Sequence, residues 1–250
     1  MRLFNDDCFN VLPQLIDEGV KVDMVFADLP YKETGWKWDK LDNYELLFKY
    51  LSDLITDEGA MLFTGTFKFG MTLFNACPSL YKYEWVWEKE HGTNVPLVNF
   101  QPFRVHEYVY VFGKGRVSYG SKNVAMKYNP QKTKGVPYAC YNQGNYYNGK
   151  GNFKRQLTVN KGDRHPKTIQ FFKRDRGYHP TQKPVSMIEY FIKTYTDEGD
   201  TVLDFTMGSG STGVACQNTN REFIGVELDK KYFEVAENRF KENVKQQKLI

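Results

Sequence analysis

The segment Asp28–Tyr31, of sequence DLPY, carries residue types that can activate an amine attached to an aromatic ring. The lone pair of such an amine is delocalised into the ring, so the amine is a poor nucleophile. Hydrogen bonds from its two N–H groups to the Asp28 carboxylate and to a backbone carbonyl would localise the lone pair, and Tyr31 offers a ring for stacking. Pro30 fixes the backbone, so that neighbouring carbonyls can be aimed at a ligand. In isolation, four such residues are better explained as an ordinary turn.

A glycine-rich loop, Gly208–Gly213, matches the pattern GxGxxG and would let a ligand approach the backbone at the start of a helix. Asp204 ends the predicted strand before this loop. Glu227 ends the next strand, 17 residues after Gly210, where an acid can accept hydrogen bonds from two ribose hydroxyls. Alternatively, the loop is a tight turn that binds nothing, Asp204 caps it, and Glu227 is a surface acid.

Asp204 discriminates between two cofactors that fit such a loop. NAD would place a pyrophosphate over it, where the Asp204 carboxylate is repulsive. S-adenosylmethionine carries an ammonium and a sulfonium but no phosphate, so the same carboxylate is favourable. The sequence therefore favours S-adenosylmethionine. A NAD-linked oxidoreductase is the alternative, and it leaves Asp28 without a role.

Two patterned regions must position these residues. Strands alternating with helices predict an α/β fold with a mostly parallel sheet, in which ligands bind at the carboxyl ends of the strands. Pro184 is predicted as the first residue of a helix, and Gly59 as the end of one. The predicted strands are 22–27, 60–63, 83–88, 107–112, 201–205 and 222–227; the predicted helices are 43–56 with Asp42 as N-cap, one from Pro184, 211–219 and one from Lys230 into the 240s.

Positive charge is concentrated between these regions. From Lys114 to Lys183 there are 16 lysines and arginines against two acids, a formal charge of +14 in a chain whose total is +4. Ten aromatic residues are interleaved with them, a combination that suits a polyanion whose bases can be stacked. The alternative is a solvated basic loop. We predict an inserted recognition region at 114–178, between the domain halves 1–113 and 179–250.

Composition is typical of a soluble globular protein, with 41% hydrophobic and 26% charged residues in a chain of 250. No apolar run approaches the roughly 20 residues of a membrane span. Acids near Met1 replace the apolar stretch of a signal peptide, so a cytoplasmic protein without membrane association is expected. The four cysteines form no CxxC pair, and neither structural zinc nor a disulfide framework is expected.

Three motifs in one order resemble the β class of DNA amino-methyltransferases, which act on adenine N6 or cytosine N4. DLPY at Asp28–Tyr31 is similar to the DPPY signature, HPTQKP at His179–Pro184 to the segment before the cofactor loop, and DFTMGSGST at Asp204–Thr212 to the loop itself. The resemblance implies a Rossmann-like methyltransferase fold, S-adenosylmethionine, duplex DNA, base flipping and direct methyl transfer. An aspartate at the first motif position is more typical of adenine methylation in this family.

The resemblance also implies roles for individual residues. Asp28, Pro30 and Tyr31 would hold the flipped base, Lys183 would face the cofactor's carboxylate, and Glu227 would bind its ribose. The implied cofactor residues are Asp7, Cys8, Thr181, Gln182, Lys183, Asp204, Phe205, Gly208, Ser209, Gly210, Thr212 and Glu227. The insertion matches the family's target-recognition region in position, and its predicted DNA contacts are Lys150, Lys154, Arg155, Lys173 and Arg174. No metal is implied, and because members are often dimers, the resemblance admits a homodimer.

The sequence departs from the family pattern at two positions. Leu29 replaces the first proline of DPPY, and Asp6 replaces a glycine next to Asp7. Leu29 motivates one alternative, a DNA-binding module without catalysis; cytosine N4, RNA or a protein glutamine as the target are others. Cytosine-C5 methylation is not expected, because it needs a cysteine nucleophile after proline and the sequence has no Pro-Cys pair.

Overall fold

The computed structural model describes residues 1–30, 43–120, 122–141, 157–175, 177 and 182–247. The chain divides into two compact units. The larger consists of Met1–Asn129 together with Thr168–Ile250, and the smaller of Pro130–Lys167. All of the strands and helices that the sequence predicts lie in the larger unit.

The larger unit is organised around a sheet in which the described residues form eight strands. Every neighbouring pair is parallel except those made by β5, which is antiparallel to β3 and β4. The predicted α/β fold with a mostly parallel sheet is therefore confirmed. In spatial order the strands are β1 (Arg2–Phe4), β12 (Glu222–Val226), β11 (Thr201–Asp204), β2 (Val22–Ala27), β3 (Ile55–Gly65), β5 (His106–Gly113), β4 (Tyr81–Glu88) and β10 (Ile169–Phe171).

Helices cover both faces of this sheet, which explains why β2 and β11 are buried almost throughout. One core cluster joins the sheet to α1, α2 and α3, and the other joins it to α4, α5 and α6. None of the helices in the described part of the chain has the length and apolar character needed to cross a membrane. The helices are α1 (Cys8–Asp17), α2 (Tyr44–Leu54), α3 (Phe67–Ala76), α4 (Val185–Tyr195), α5 (Ser211–Asn218) and α6 (Lys230–Gln247), with a 3₁₀ turn at Val95–Leu97.

Several predicted element boundaries were wrong. Gly59 does not end α2; that helix ends at Leu54 and Gly59 lies inside β3. A Cβ atom at Gly59 would stand 2.8 Å from the Asp23 carbonyl oxygen, so glycine there permits the close approach of β2, beside the register shift between the two strands. Pro184 is the N-cap of α4 rather than its first residue, because its ψ of 130° is extended.

The start of α2 is capped by Asn43, whose side-chain oxygen accepts a hydrogen bond from the Leu46 amide at 2.9 Å. The prediction of Asp42 as the N-cap is therefore wrong by one residue, and Asp42 itself lies outside the described residues. The strand predicted at 60–63 is longer than expected, because β3 begins five residues earlier, at Ile55. The other predicted strands and helices are confirmed to within two residues at their described ends.

The smaller unit contains two short antiparallel pairs of strands: β6 (Thr133–Lys134) with β9 (Asp163–Arg164), and β7 (Tyr138–Tyr141) with β8 (Leu157–Asn160). All four residues of β7 are exposed. The Arg164 guanidinium lies 4.9 Å from the centre of the Tyr138 ring. Basic and aromatic side chains therefore lie together on the surface of this unit.

The topology brings many strand ends to one edge of the main sheet. The parallel strands all point their carboxyl ends toward this edge, and antiparallel β5 begins there. At the junction of β2 and β11 the chain order reverses direction across the sheet, which is where open α/β sheets form a binding crevice. Residues that follow β2 and β11 are therefore positioned to form a site.

Candidate active site

Asp28 follows β2 directly, at the junction with β11, and its carboxylate is held on both oxygens. Thr64 Oγ1, from buried β3, donates to Oδ1 at 2.5 Å, and Lys183 Nζ donates to Oδ2 at 2.6 Å. The Asp28 side chain is 29% exposed, so a ligand can reach it from solvent. The two donors fix the direction in which the carboxylate points. Neither contact is visible in the sequence, because Thr64 lies 36 residues away and Lys183 lies 155.

A second acid lies behind Lys183. Glu107 Oε2 is 3.7 Å from Lys183 Nζ, and Oε1 accepts from Lys89. Burial alone would lower the pKa of Lys183, but the carboxylates of Asp28 and Glu107 outweigh it and raise that pKa. Burial lowers the pKa of Lys89, against the opposing effect of Glu107. Sequence reasoning missed Lys89 and Glu107; the only signal was a charged residue at the end of an aromatic-rich strand.

Asp204 ends β11 beneath the glycine loop and is 4% exposed. Thr212 Oγ1 donates to its Oδ2 at 2.5 Å, and the Thr206 amide donates to its Oδ1 at 3.0 Å. Burial raises the pKa of Asp204 to about 7, although both hydrogen bonds favour the carboxylate. Asp204 therefore changes charge near neutral pH.

The two glycines of the loop have different geometric roles. Gly210 has a φ of +80°, and a Cβ atom there would stand 2.6 Å from the Phe240 ring of α6. Gly208 has a φ of +53°, but its Cβ position is open, with the nearest atom, the Thr206 carbonyl oxygen, 4.0 Å away. Gly210 thus allows α5 to pack against α6, whereas Gly208 leaves space over the loop that a ligand can use.

Glu227 follows β12 and closes the other side of the loop. Its Oε2 accepts from the Gly208 amide and its Oε1 from the Asp229 amide, both at 2.8 Å. Burial raises its pKa, against the effect of these amide hydrogen bonds. Asn5, at the end of β1, donates to the Glu227 carbonyl oxygen at 2.8 Å. The ends of β1 and β12 are thereby fixed beside the glycine loop.

Thr206, which sequence reasoning also missed, lies between the two motifs. Its Oγ1 is 3.5 Å from the Asp28 carbonyl oxygen and 3.4 Å from Asp204 Oδ1. The residue that follows β2 and the loop that follows β11 are therefore in direct contact. This contact is the observation that joins the Asp28 motif and the glycine loop into one site.

Several predicted cofactor residues have structural partners of their own. Asp7 caps α1 by accepting from the Phe9 amide at 2.9 Å. Burial, together with the charge of Asp7, raises the pKa of Cys8 to about 12, so its thiol is neutral. Phe205 is buried in the core, and the Ser209 carbonyl oxygen accepts from Arg239 at 3.1 Å. Their predicted contacts with a cofactor stay predictions.

The remaining predicted residues fall into two groups. The Pro30 carbonyl oxygen accepts from Tyr44 of α2 at 3.2 Å, Gln182 is half-buried next to Lys183, and Lys173 and Arg174 are exposed after β10, at the same edge of the sheet. The others lie outside the described residues: Tyr31, Lys150, Lys154, Arg155 and Thr181.

Leu29, where the family signature has proline, is 2% exposed and packs in the core cluster of α1, α2 and α3. Burying a leucine restricts a loop by a route different from the fixed φ of proline. The departure from the signature is therefore compatible with an ordered segment after β2.

Comparison with known proteins identifies relatives that match a short segment of the chain and relatives that match most of it. The sequence is 46% identical over 63 residues to the type II methyltransferase M2.DpnII of Streptococcus pneumoniae, a match that covers 25% of this chain and 24% of that protein. It is 25% identical over 259 residues to the type II methyltransferase M1.MboII of Moraxella bovis, covering 94% of each. The chain thus spans about a quarter of the length of the relatives with the strongest local matches, whereas the match to M1.MboII extends over 94% of this chain.

Solved structures show the same fold. The M1.HpyAVI–SAM complex superposes with a TM-score of 0.65 at 23% identity, covering 95% of this chain and 98% of that one. PvuII DNA methyltransferase, described as cytosine-N4-specific, has a TM-score of 0.65 at 12% identity, covering 95% and 85%. Both likenesses confirm the Rossmann-like methyltransferase fold with its mostly parallel sheet.

A family model described as DNA methylase, for N6 and N4 methyltransferases, matches residues 22–238. This range contains Asp28, Lys183, Asp204 and Glu227, so the match includes the site described above and not only the sheet. The family that the three sequence motifs resemble is thereby confirmed. The chain belongs to the N6/N4 DNA methylase family.

Proposed function

We propose that this protein is a site-specific DNA methyltransferase that transfers a methyl group from S-adenosylmethionine to the exocyclic N6 amine of adenine in duplex DNA. The observation that carries the proposal is the contact through Thr206 between the Asp28 segment and the loop of Asp204. An amine held at Asp28 would lie next to a cofactor held over the loop. Such proximity of the two reactants supplies much of the rate in direct transfer reactions.

The cofactor is S-adenosylmethionine, and the residues at the loop fit it. Asp204 would supply a carboxylate for the ammonium group, and Gly208 leaves open space. Glu227, whose Oε2 accepts from the Gly208 amide of the loop and whose Oε1 accepts from the Asp229 amide, would receive the ribose hydroxyls. When bound, the cofactor supplies an electrophilic methyl group. Lys183 is proposed to face the cofactor's carboxylate, although its ammonium group donates to Asp28 in the structure.

Asp28 is proposed to accept a hydrogen bond from the target amine. Such a bond, with a second to a backbone carbonyl of the same segment, would concentrate the lone pair on nitrogen for in-line attack on the methyl group. Thr64 and Lys183 hold the carboxylate before the base arrives, so little reorganisation is needed in the transition state. The target base must leave the duplex to reach Asp28, so base flipping is part of the proposal.

Adenine is proposed over cytosine because an aspartate at the position of Asp28 is more typical of adenine methylation in this family. The cytosine-N4-specific PvuII enzyme has the same fold, so cytosine N4 is the second candidate. Both amines would be activated by the same two acceptors. The proposed chemistry is therefore the same for either base, and the preference for adenine rests on the family tendency at the position of Asp28.

Product analysis tests the proposal. Protein, unmethylated duplex DNA and S-adenosylmethionine are incubated, the DNA is digested to nucleosides, and methylated bases are quantified by mass spectrometry. We expect N6-methyladenine from the parent protein and none from Asp28→Ala, because that variant lacks the acceptor for the amine. Asp53→Ala, at an exposed position on α2, is the matched control and should keep activity.

Each other product has a defined meaning. N4-methylcytosine would overturn the choice of adenine as the target base but would leave the proposed mechanism unchanged. No methylated base from any DNA, with cofactor binding intact by calorimetry, would overturn DNA as the substrate, and structured RNA would be assayed next.

A 2-aminopurine probe at the target position should gain fluorescence on binding; a probe that stays quenched in the complex would contradict base flipping.

A further inference from the structure

Four buried or half-buried charges alternate in sign behind the proposed base site. Lys89 follows β4, Glu107 lies in β5, Lys183 precedes α4 and Asp28 follows β2. The side chains are 3%, 16%, 8% and 29% exposed, respectively. Lys89 contacts Glu107, Glu107 is 3.7 Å from Lys183, and Lys183 is 2.6 Å from Asp28. Lys89 and Glu107 belong to none of the motifs by which the family was recognised.

The position of Glu107 between two ammonium groups has an energetic reason. Burying a charge is costly unless an opposite charge accompanies it, and two buried lysines near one another also repel. The negative charge of the Glu107 carboxylate, placed between the two lysines, offsets both the cost of burying their ammonium groups and the repulsion between them. The strands impose this arrangement, because antiparallel β5 begins at the edge where β4 and β2 end.

We propose that Glu107 is a positioning residue for methyl transfer: by bridging Lys89 and Lys183, it holds the Lys183 ammonium against Asp28 and so fixes the carboxylate that receives the target amine. The inference rests on the proposed function only in that Asp28 receives the amine. Glu107 acts through Lys183 and does not itself touch the base. Its effect is therefore expected on the rate of the chemical step and on its pH dependence. Cofactor affinity near pH 7 should not change, because Lys183 carries its charge at that pH with or without Glu107.

The sign of the pH dependence follows from the charges around Lys183. Asp28 and Glu107 face it directly, while Lys89 lies on the other side of Glu107, and the charge of Arg174 acts on Lys89. Both carboxylates raise the pKa of Lys183, so removal of Glu107 lowers it. Activity that needs the Lys183 ammonium is lost as pH rises through that pKa. In Glu107→Gln this loss should begin about 1 pH unit lower or more, because a nearby opposite charge shifts a pKa by about 1–3 units.

The experiment compares the parent with Glu107→Gln in single-turnover methylation between pH 7 and 10, with thermal unfolding and calorimetry of S-adenosylmethionine alongside. We expect a rate about 10-fold lower or more at pH 8, since small displacements at a reacting centre have effects of this size. We also expect a basic limb moved to lower pH and a cofactor Kd within about twofold of the parent. Glu84→Gln, an exposed position on β4, makes the same substitution in the same sheet and should behave as the parent.

A second variant distinguishes a positioning role of Glu107 from a general loss of stability. Lys89→Met/Glu107→Gln removes the cation that Glu107→Gln leaves uncompensated, so it should unfold at a higher temperature than the single variant. Its basic limb should still lie at lower pH than that of the parent. A folded variant with the parent's pH profile would overturn the proposal. A variant that bound the cofactor more weakly but kept the parent's rate at saturating cofactor would also overturn it, because Lys183 would then act on the cofactor alone.

A measurement without turnover separates this inference from the proposed function. An NMR titration of the Lys183 side chain, in protein without added cofactor, should give a lower pKa in Glu107→Gln than in the parent. If the parent methylated no DNA base, the proposed function would fail while this titration still tested the bridge. An unchanged Lys183 titration would overturn the bridge even if the parent were an active methyltransferase.

Discussion

Asp204 is an acid whose charge changes near neutral pH in the folded protein. It is buried beneath the glycine loop, and burial raises its pKa to about 7. Below that pH the carboxyl is mostly protonated and has no charge to offer the cofactor's ammonium group. Above it the carboxylate forms. The pH dependence of cofactor binding around pH 7 should therefore depend on Asp204, which comparison with Asp204→Asn isolates.

We predict that S-adenosylmethionine binds about 10-fold more tightly at pH 8 than at pH 6, because the ionised fraction of Asp204 rises by about that factor across a pKa of about 7. Calorimetry at three pH values checks this. Asp204→Asn should bind weakly with little dependence on pH, while exposed Asp57→Asn should follow the parent. Equal pH dependence in parent and Asp204→Asn would contradict the assignment.

The same residue has an effect on the stability of the protein without bound cofactor. Its folded pKa of about 7 is above the ordinary value of 3.8, so between these values the folded state binds a proton that the unfolded state lacks. The contribution of Asp204 to the free energy of unfolding is therefore fully present at low pH and is lost as pH rises to about 7. Asp204→Asn should remove this loss and so be relatively more stable at pH 8 than at pH 5, which denaturant unfolding at the two pH values would show.

At the scale of elements, the turn from β11 into α5 depends on two glycines that differ in their surroundings. Gly210 has both a left-handed backbone and a close neighbour in Phe240. Gly208 has the left-handed backbone but open space. Substitution by alanine therefore separates the packing of the turn from its use by a ligand.

Gly210→Ala is expected to destabilise the protein by about 2–5 kcal/mol, from about 1–2 kcal/mol of backbone strain and about 1–3 kcal/mol of overpacking. Gly208→Ala should incur only the strain, about 1–2 kcal/mol, but should weaken cofactor binding because the new methyl group enters the open space. Urea unfolding and cofactor titration measure the two effects. Gly19→Ala is the matched control, because Gly19 has a φ of +71° and no atom within 4 Å of its Cβ position. This variant should show the same backbone strain and an unchanged cofactor affinity. Equal destabilisation of all three variants would contradict the packing role of Gly210.

At the scale of the whole molecule, recognition of DNA is proposed for the insertion 114–178. The structure finds a separate compact unit, Pro130–Lys167, within that range, and places the flanking Lys173 and Arg174 at the edge of the main sheet that carries the site. When such residues neutralise phosphates they release counterions, so the number of phosphates bound is measured by the salt dependence of binding.

Alanine substitutions in the basic segment should weaken DNA binding and flatten its dependence on salt by about 0.9 in log–log slope for each phosphate that the variant no longer neutralises. Fluorescence anisotropy between 50 and 200 mM salt, roughly the range over which such slopes are resolved, measures this. Exposed Lys49, Lys241 and Lys245 on α2 and α6 provide control substitutions. An unchanged slope would contradict the recognition role. The positions to substitute are Lys150, Lys154, Arg155, Lys173 and Arg174.

The homodimer that the family resemblance admits stays a prediction, and light scattering of the parent protein in solution would test it.

Local sequence was sufficient for the parts of the fold that depend on near neighbours. Periodic apolar residues predicted the strands and helices, and the positions of Asp28, Asp204 and Glu227 after strands predicted one ligand-binding edge, because parallel strands end together. Gly59 was misinterpreted because its role depends on Asp23 in another strand. A glycine's local sequence does not distinguish a helix end from a close approach between strands.

Only the tertiary structure decided which charges meet behind the base site. The Lys183–Asp28 pair spans 155 residues, and Glu107 reaches Lys183 because β5 runs antiparallel and starts at the site's edge. Strand order and direction arise from packing of the whole sheet, which no local pattern encodes. The sequence by itself determined which chemistry was present and at which strand ends; burial, the pKa of Asp204 and the pairing of lysines with acids followed only from the folded chain, because they depend on neighbours distant in sequence.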